Sequence, residues 1–247
     1  MDSTDGMMAA FQRQDIDLRT MGLIGGMSWE STATYYRLMN QEVRTRLGPL
    51  RSAPLLIHSV DFGPIAEAQH DGRWDDAGAL LADSARRLHA AGADAIVLCT
   101  NTMHKLADAI TEATPLPFLH IAAPVGQAAQ QRGYRKLGLL ATAFTMEQAF
   151  LKDKLMQDHG LQVQIPDAPT RAEVHRVIYD ELCQGIARES SRDFYQRAIA
   201  RLQQEGCEAI VLGCTEISLL IQQQHSPLPL LDTTALHAQA AVEFALA

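Results

Sequence analysis

Three stretches of this chain occur twice, in the same order and at nearly constant spacing, and this duplication limits the fold more than any other feature. Gly22-Leu23-Ile24-Gly25 parallels Gly138-Leu139-Leu140-Ala141, and GADAIVLCTNT at Gly92–Thr102 parallels GCEAIVLGCTE at Gly206–Glu216. PLPFLHIAAPVGQAA at Pro115–Ala129 likewise parallels PLPLLDTTALHAQAA at Pro227–Ala241, and the three offsets are 116, 114 to 115, and 112 residues. Strand cores are commonly rich in Val, Ile and Leu, so one match would mean little. Three in order imply a duplicated unit, and therefore two similar lobes with a cleft between them.

Short apolar runs alternate with longer helical patterns from Met21 onward, which predicts parallel strands joined by crossover helices. The expected strands are Met21–Gly25, Leu55–Ser59, Ala95–Leu98, Phe118–Ile121, Lys136–Leu140, Ala209–Leu212 and Leu228–Leu231. Helices are expected over Ser28–Leu47, Asp75–Ala91, Thr145–His159, Thr170–Cys183 and Arg192–Glu205, with a capping box of Thr145 and Gln148. The fold class is α/β, with two pseudo-symmetric lobes, each a mostly parallel sheet flanked by helices. The last repeated unit copies one between the halves, which suggests that the final helix returns to the first lobe. Residues 20–117 plus 226–247 are then lobe 1, residues 118–225 are lobe 2, and residues 1–19 are a mobile tail.

The net charge of −8 over 247 residues offers no basic footprint for phosphates, so nucleic acid is not an expected partner. No apolar run approaches the roughly 20 residues needed to span a bilayer, which excludes a membrane helix. Four cysteines without a C-x-x-C pair argue against a disulfide scaffold and a zinc site, and fit free thiols in a reducing cytoplasm.

Cys99 follows the apolar run Ala95–Leu98, and Cys214 lies just after Ala209–Leu212. In open parallel sheets ligands collect beyond the carboxyl ends of strands, where a helix N-terminus also lowers a thiol pKa. A lone Cys in such a place is usually a small buried hydrophobe, and Cys183 and Cys207 are first read that way. Cys99 and Cys214 are set apart because the duplication maps them onto each other. Paired thiols across a cleft suit a reaction that removes a proton from one face of a carbon and supplies one to the opposite face.

GLIGGMSWEST at Gly22–Thr32, CTNTMH at Cys99–His104, GLLAT at Gly138–Thr142 and GCTEI at Gly213–Ile217 carry a resemblance to the aspartate/glutamate racemase family, in its broad-specificity branch. HSVDFGPIAEAQ at His58–Gln69 and HRVIYDEL at His175–Leu182 add to it. The resemblance implies an interlobe active site, a small amino-acid substrate, a homodimer, and no pyridoxal phosphate, other cofactor or metal. It assigns Cys99 and Cys214 the exchangeable acid and base roles. Negative charge grows on the substrate carboxylate, and Ser28, Asn101, Thr102, Thr142, Thr145 and Thr215 are the candidates to hold it. Ser28 and Thr145 read equally well as helix caps. Glu216 either tunes Cys214 or simply complements a helix dipole. His104 and His175 stay outside the catalytic set.

Family members that act on acidic amino acids hold the side-chain carboxylate with an Arg and a Lys. Gln69 and Cys183 stand at those places here, which makes them substrate-binding candidates and points to neutral side chains, with Arg73 as a possible substitute cation. Aspartate or glutamate racemisation proper, a decarboxylase or maleate isomerase on the same scaffold, and a non-catalytic small-molecule binding protein are the competing readings.

Overall fold

The computed structural model describes residues 17–247, so most of the expected tail, residues 1–16, lies outside the described residues. The end of that segment is docked rather than loose. Arg19 N–H donates to the Ala245 carbonyl at 3.0 Å, its guanidinium lies 4.8 Å from the Phe244 ring centre, and Leu18 packs against the apolar core.

The first sheet contains β1 (Met21–Gly25), β2 (Leu55–Ser59), β3 (Ala95–Leu98) and β4 (Phe118–Leu119), in the order β2-β1-β3-β4. The second contains β5 (Lys136–Leu140), β6 (Gln162–Gln164), β7 (Ala209–Leu212) and β8 (Leu230–Asp232), in the equivalent order β6-β5-β7-β8. Every pairing is parallel. The helices are α1 (Trp29–Leu47), α2 (Phe62–His70), α3 (Trp74–Ala90), α4 (Ala107–Ala113), α5 (Ala122–Gln131) and α6 (Ala143–Glu147). They continue with α7 (Ala149–His159), α8 (Ala168–Asp180), α9 (Glu189–Gln204), α10 (Ile217–Leu220) and α11 (Thr233–Leu246). No described helix is long and apolar enough to cross a membrane.

The sheets divide the chain differently from the boundaries expected at residues 117 and 226. Phe118–Leu119 pairs with β3 in the first sheet, and Leu230–Asp232 pairs with β7 in the second, so each crossover comes one strand later. Helix α11 then packs on α1 across the first sheet. The expected Thr145/Gln148 capping box is also absent. Thr142 caps α6 by accepting from Thr145 N–H, and Gln148 is extended (ψ 157°), which breaks one expected helix into α6 and α7.

The turn after β1 explains one glycine. Gly26 has φ +96°, and a Cβ there would run into the Val60 backbone, so the chain can turn toward α1 only without a side chain.

Candidate active site

The carboxyl ends of both sheets face one cavity of about 60 Å³. Ser28, Asn101, Thr102, Thr142, Thr215 and Glu216 line it, together with Gln69, Cys183 and Cys214. Two expected members are elsewhere. Thr145 is fully buried behind the wall, 3.2 Å from Thr102 Oγ1 and 3.3 Å from Thr142 Oγ1, where it braces the two lobes.

Cys99 is the larger correction. Its side chain is fully buried in the cluster of Tyr35, Met39, Val43 and Ala238 beneath α1 and α11, and burial pushes its thiol pKa far up. Backbone register explains why. Cys99 N–H donates to Ile24 C=O at 2.9 Å and Gly213 N–H donates to Leu140 C=O at 2.8 Å, so the structural counterpart of Cys99 is Gly213. That position faces packed core in both lobes, since a Cβ on Gly213 would come 2.9 Å from Ala141 Cβ. Because a strand turns successive side chains to opposite sides, the next residue points away from the core. That residue is Thr100 in the first lobe and Cys214 in the second, and both line the cavity.

The symmetry extends one shell outward. Ser28 caps α1 as Thr142 caps α6, and three residues on from each cap stand Ser31 and Thr145. Ser31 Oγ donates to Thr215 Oγ1 at 2.9 Å across the cleft, and Ser28 Oγ donates to Glu216 Oε1 at 3.0 Å. Glu216 is matched by Thr102, so the Cys214 side carries a thiol and a carboxylate where the Thr100 side carries two hydroxyls.

Cys214 Sγ donates to Glu216 Oε2 at 2.9 Å. Burial and then the adjacent Glu216 charge hold the thiol pKa well above its ordinary value, the reverse of the lowering expected from a helix N-terminus. The helix there, α10, spans only Ile217–Leu220. The free thiol is thus protonated, with its acceptor already in place.

His104 acts behind Thr100. It accepts from Ile121 N–H through Nε2 at 3.2 Å, so Nδ1–H donates to the Thr100 carbonyl at 2.7 Å. Burial lowers its pKa and keeps it neutral. His175 accepts from Ala143 N–H through Nδ1 at 3.2 Å and supports the α6 turn. Asn101 Nδ2 donates to Thr233 Oγ1 at 3.0 Å, while its buried Oδ1 has no partner among the described residues and can accept from a ligand N–H. The remaining wall, absent from the sequence expectations, is Met27, Ser31, Phe62, Thr100, Met103, Ile178, Tyr179 and Gly213.

Among the described residues, no Lys or Arg lines this wall. Arg73 is exposed and bound to Asp71 at 3.1 Å and Asp76 at 2.8 Å, which removes it as a substitute cation.

The family described as Asp/Glu/Hydantoin racemase matches residues 24–241. Among solved structures, a Yersinia pestis chain of the Asp/Glu racemase type shares 50% identity, covers 93% of this chain and 100% of its own, and superposes with a TM-score of 0.88. An aspartate racemase homologue from Pyrococcus horikoshii OT3 shares 29% identity with coverage of 92% and 99% and a TM-score of 0.82. A broad specificity amino-acid racemase of Bacillus subtilis (strain 168) is 25% identical over 230 residues, 92% of this chain and 98% of that one. The chain belongs to the Asp/Glu/Hydantoin racemase family.

Proposed function

We propose that the protein racemises amino acids with neutral side chains, using Cys214 and Thr100 on opposite faces of the substrate Cα. The observation that carries this is the structural equivalence of Thr100 and Cys214 at one cavity. The racemases among its relatives support the reaction class.

In the forward direction the Cys214 proton moves to Glu216 and the thiolate takes the Cα proton. The Cα–H bond breaks, its electron pair stays on the carbon and delocalises into the substrate carboxylate, and an S–H bond forms. The Thr100 hydroxyl then donates to the opposite face, and the inverted product leaves before solvent returns the hydroxyl proton. Asn101 Oδ1 receives the substrate ammonium, and the Thr102 and Thr142 hydroxyls face the carboxylate.

A hydroxyl is a far weaker acid and base than a thiol, so the enantiomer presenting its proton to Cys214 exchanges that proton with solvent faster, while kcat/KM for inversion is the same in both directions because the enantiomers are equal in free energy. The distal wall carries Gln69, Cys183, Met27 and Phe62, with no cation among the described residues to balance a second carboxylate. Burying that charge unpaired costs several kcal/mol, which favours neutral side chains. A homodimer, with the substrate as its other partner, completes the proposal.

Chiral chromatography of a panel of L-amino acids after incubation with the purified, dialysed protein tests this reading. The expected result is the D-enantiomer from neutral amino acids, and binding without turnover across the panel would overturn it in favour of a non-catalytic solute-binding role.

A further inference from the structure

A second cavity, of about 40 Å³, lies behind the first. Ser31, Thr215 and Glu216 wall both spaces, while Glu30, Thr34 and Arg37 line only the outer one, which opens toward solvent. A single layer of hydroxyl and carboxylate groups therefore separates them, where apolar packing would seal them from each other. A site holds one water in roughly 10–15 Å³ when polar partners are present, so the outer cavity has room for about three.

Glu216 spans this layer. Oε2 accepts from Cys214 Sγ at 2.9 Å, and Oε1 accepts from Ser28 Oγ at 3.0 Å, with Ser31 Oγ 3.3 Å away. The carboxylate thus has one oxygen committed to the thiol and the other to the hydroxyls, one of which, on Ser31, walls the outer cavity. With substrate in the cleft of about 60 Å³, the layer of Ser31, Thr215 and Glu216 is what stands between the thiol and the outer cavity.

We propose that the outer cavity is the proton outlet of the closed site, with Glu216 passing protons between Cys214 and water held behind it. The proposal rests on the proton-transfer reading above. The thiol proton moves to Glu216, the resulting thiolate takes the Cα proton to form S–H, and Glu216 releases its proton to water in the outer cavity, which restores the carboxylate. Atoms and charge balance without a further reactant. The substrate-derived proton on sulfur then exchanges with solvent by the same route before substrate leaves.

The experiment is racemisation in D₂O, reading the ratio of Cα deuterium in recovered substrate to inversion for each enantiomer. Thr34 lies half-buried on α1, and Leu is a better helix former, so Thr34→Leu fills the outer cavity while keeping the helix. The expected result is a severalfold fall in the exchange-to-inversion ratio for the enantiomer that reacts with Cys214, and no fall in Thr34→Ala. Should Thr34→Leu lower the melting temperature, Arg37→Trp plugs the same cavity from its rim and should give the same fall. An unchanged ratio in a stably folded plugged variant overturns the outlet but leaves the racemase reading standing. A wild-type protein that racemises nothing overturns both.

Discussion

Cys99→Ala separates a structural thiol from a catalytic one. The substitution deletes one sulfur from a fully buried position among Tyr35, Met39, Val43 and Ala238, without exposing any polar group. Removing a buried group of about one methylene costs about 0.5–1.5 kcal/mol when the neighbours relax only partly. In a protein of this size each kcal/mol lowers Tm by about 2–4 °C, so a fall of about 1–6 °C follows. Because the sulfur is outside the cavity, kcat/KM for the best substrate should stay within about twofold, whereas loss of a true acid or base costs roughly 10²–10⁴. Differential scanning calorimetry and chiral chromatography of Cys99→Ala and Cys214→Ala supply both numbers. Activity lost equally in the two variants, with the Tm of Cys99→Ala unchanged, would refute the register argument.

Glu216→Gln removes the charge that holds the proton on Cys214, so iodoacetamide should alkylate Cys214 faster at neutral pH while kcat falls by about tenfold or more; slower alkylation contradicts the pair. L-Aspartate should show kcat/KM roughly ten- to a hundredfold below L-homoserine, because Gln69 and Cys183 offer no charge-assisted contact, and Gln69→Arg with Cys183→Lys should narrow the gap. A wild type faster on aspartate contradicts the specificity. Burial depresses the His237 pKa to about 4, so between that value and the unfolded value the unfolded state binds more protons. Stability present near neutral pH is therefore lost as pH falls, by up to about 3 kcal/mol at pH 4 from this residue. His237→Gln should flatten the acid side of a urea-midpoint-versus-pH curve, and an unchanged slope would assign the loss to other groups.

The duplicated apolar runs made both sheets legible, because parallel strands buried on two faces write themselves as continuous Val/Ile/Leu segments. Gln162–Gln164 escaped because an edge strand of alternating polar residues has no such run. The helix Phe62–His70 was hidden by Gly63 and Pro64 in its first turn, which read as breakers although Pro is at home there. At the site, aligning cysteine with cysteine introduced a one-residue slip between GADAIVLCTNT and GCEAIVLGCTE. Aligning the AIVL runs would have matched Thr100 to Cys214 and Cys99 to Gly213, and a one-residue slip turns a side chain from cavity to core. The Cys214–Glu216 contact was only half legible: spacing placed the carboxylate nearby, but the sign of the pKa shift depended on burial.

The central claim is that Thr100 and Cys214 stand on opposite faces of one carbon, and proton exchange in D₂O by Thr100→Val and Cys214→Ala tests it most directly. Thr100→Val should lose inversion yet still place deuterium at Cα of the one enantiomer that faces the thiol, because the thiol and Glu216 remain. Cys214→Ala should lose inversion and the exchange of the enantiomer that faces the thiol, so that any exchange left belongs to the enantiomer facing Thr100. Inversion by Cys214→Ala at the wild-type rate, or undiminished inversion by Thr100→Val, would contradict the account.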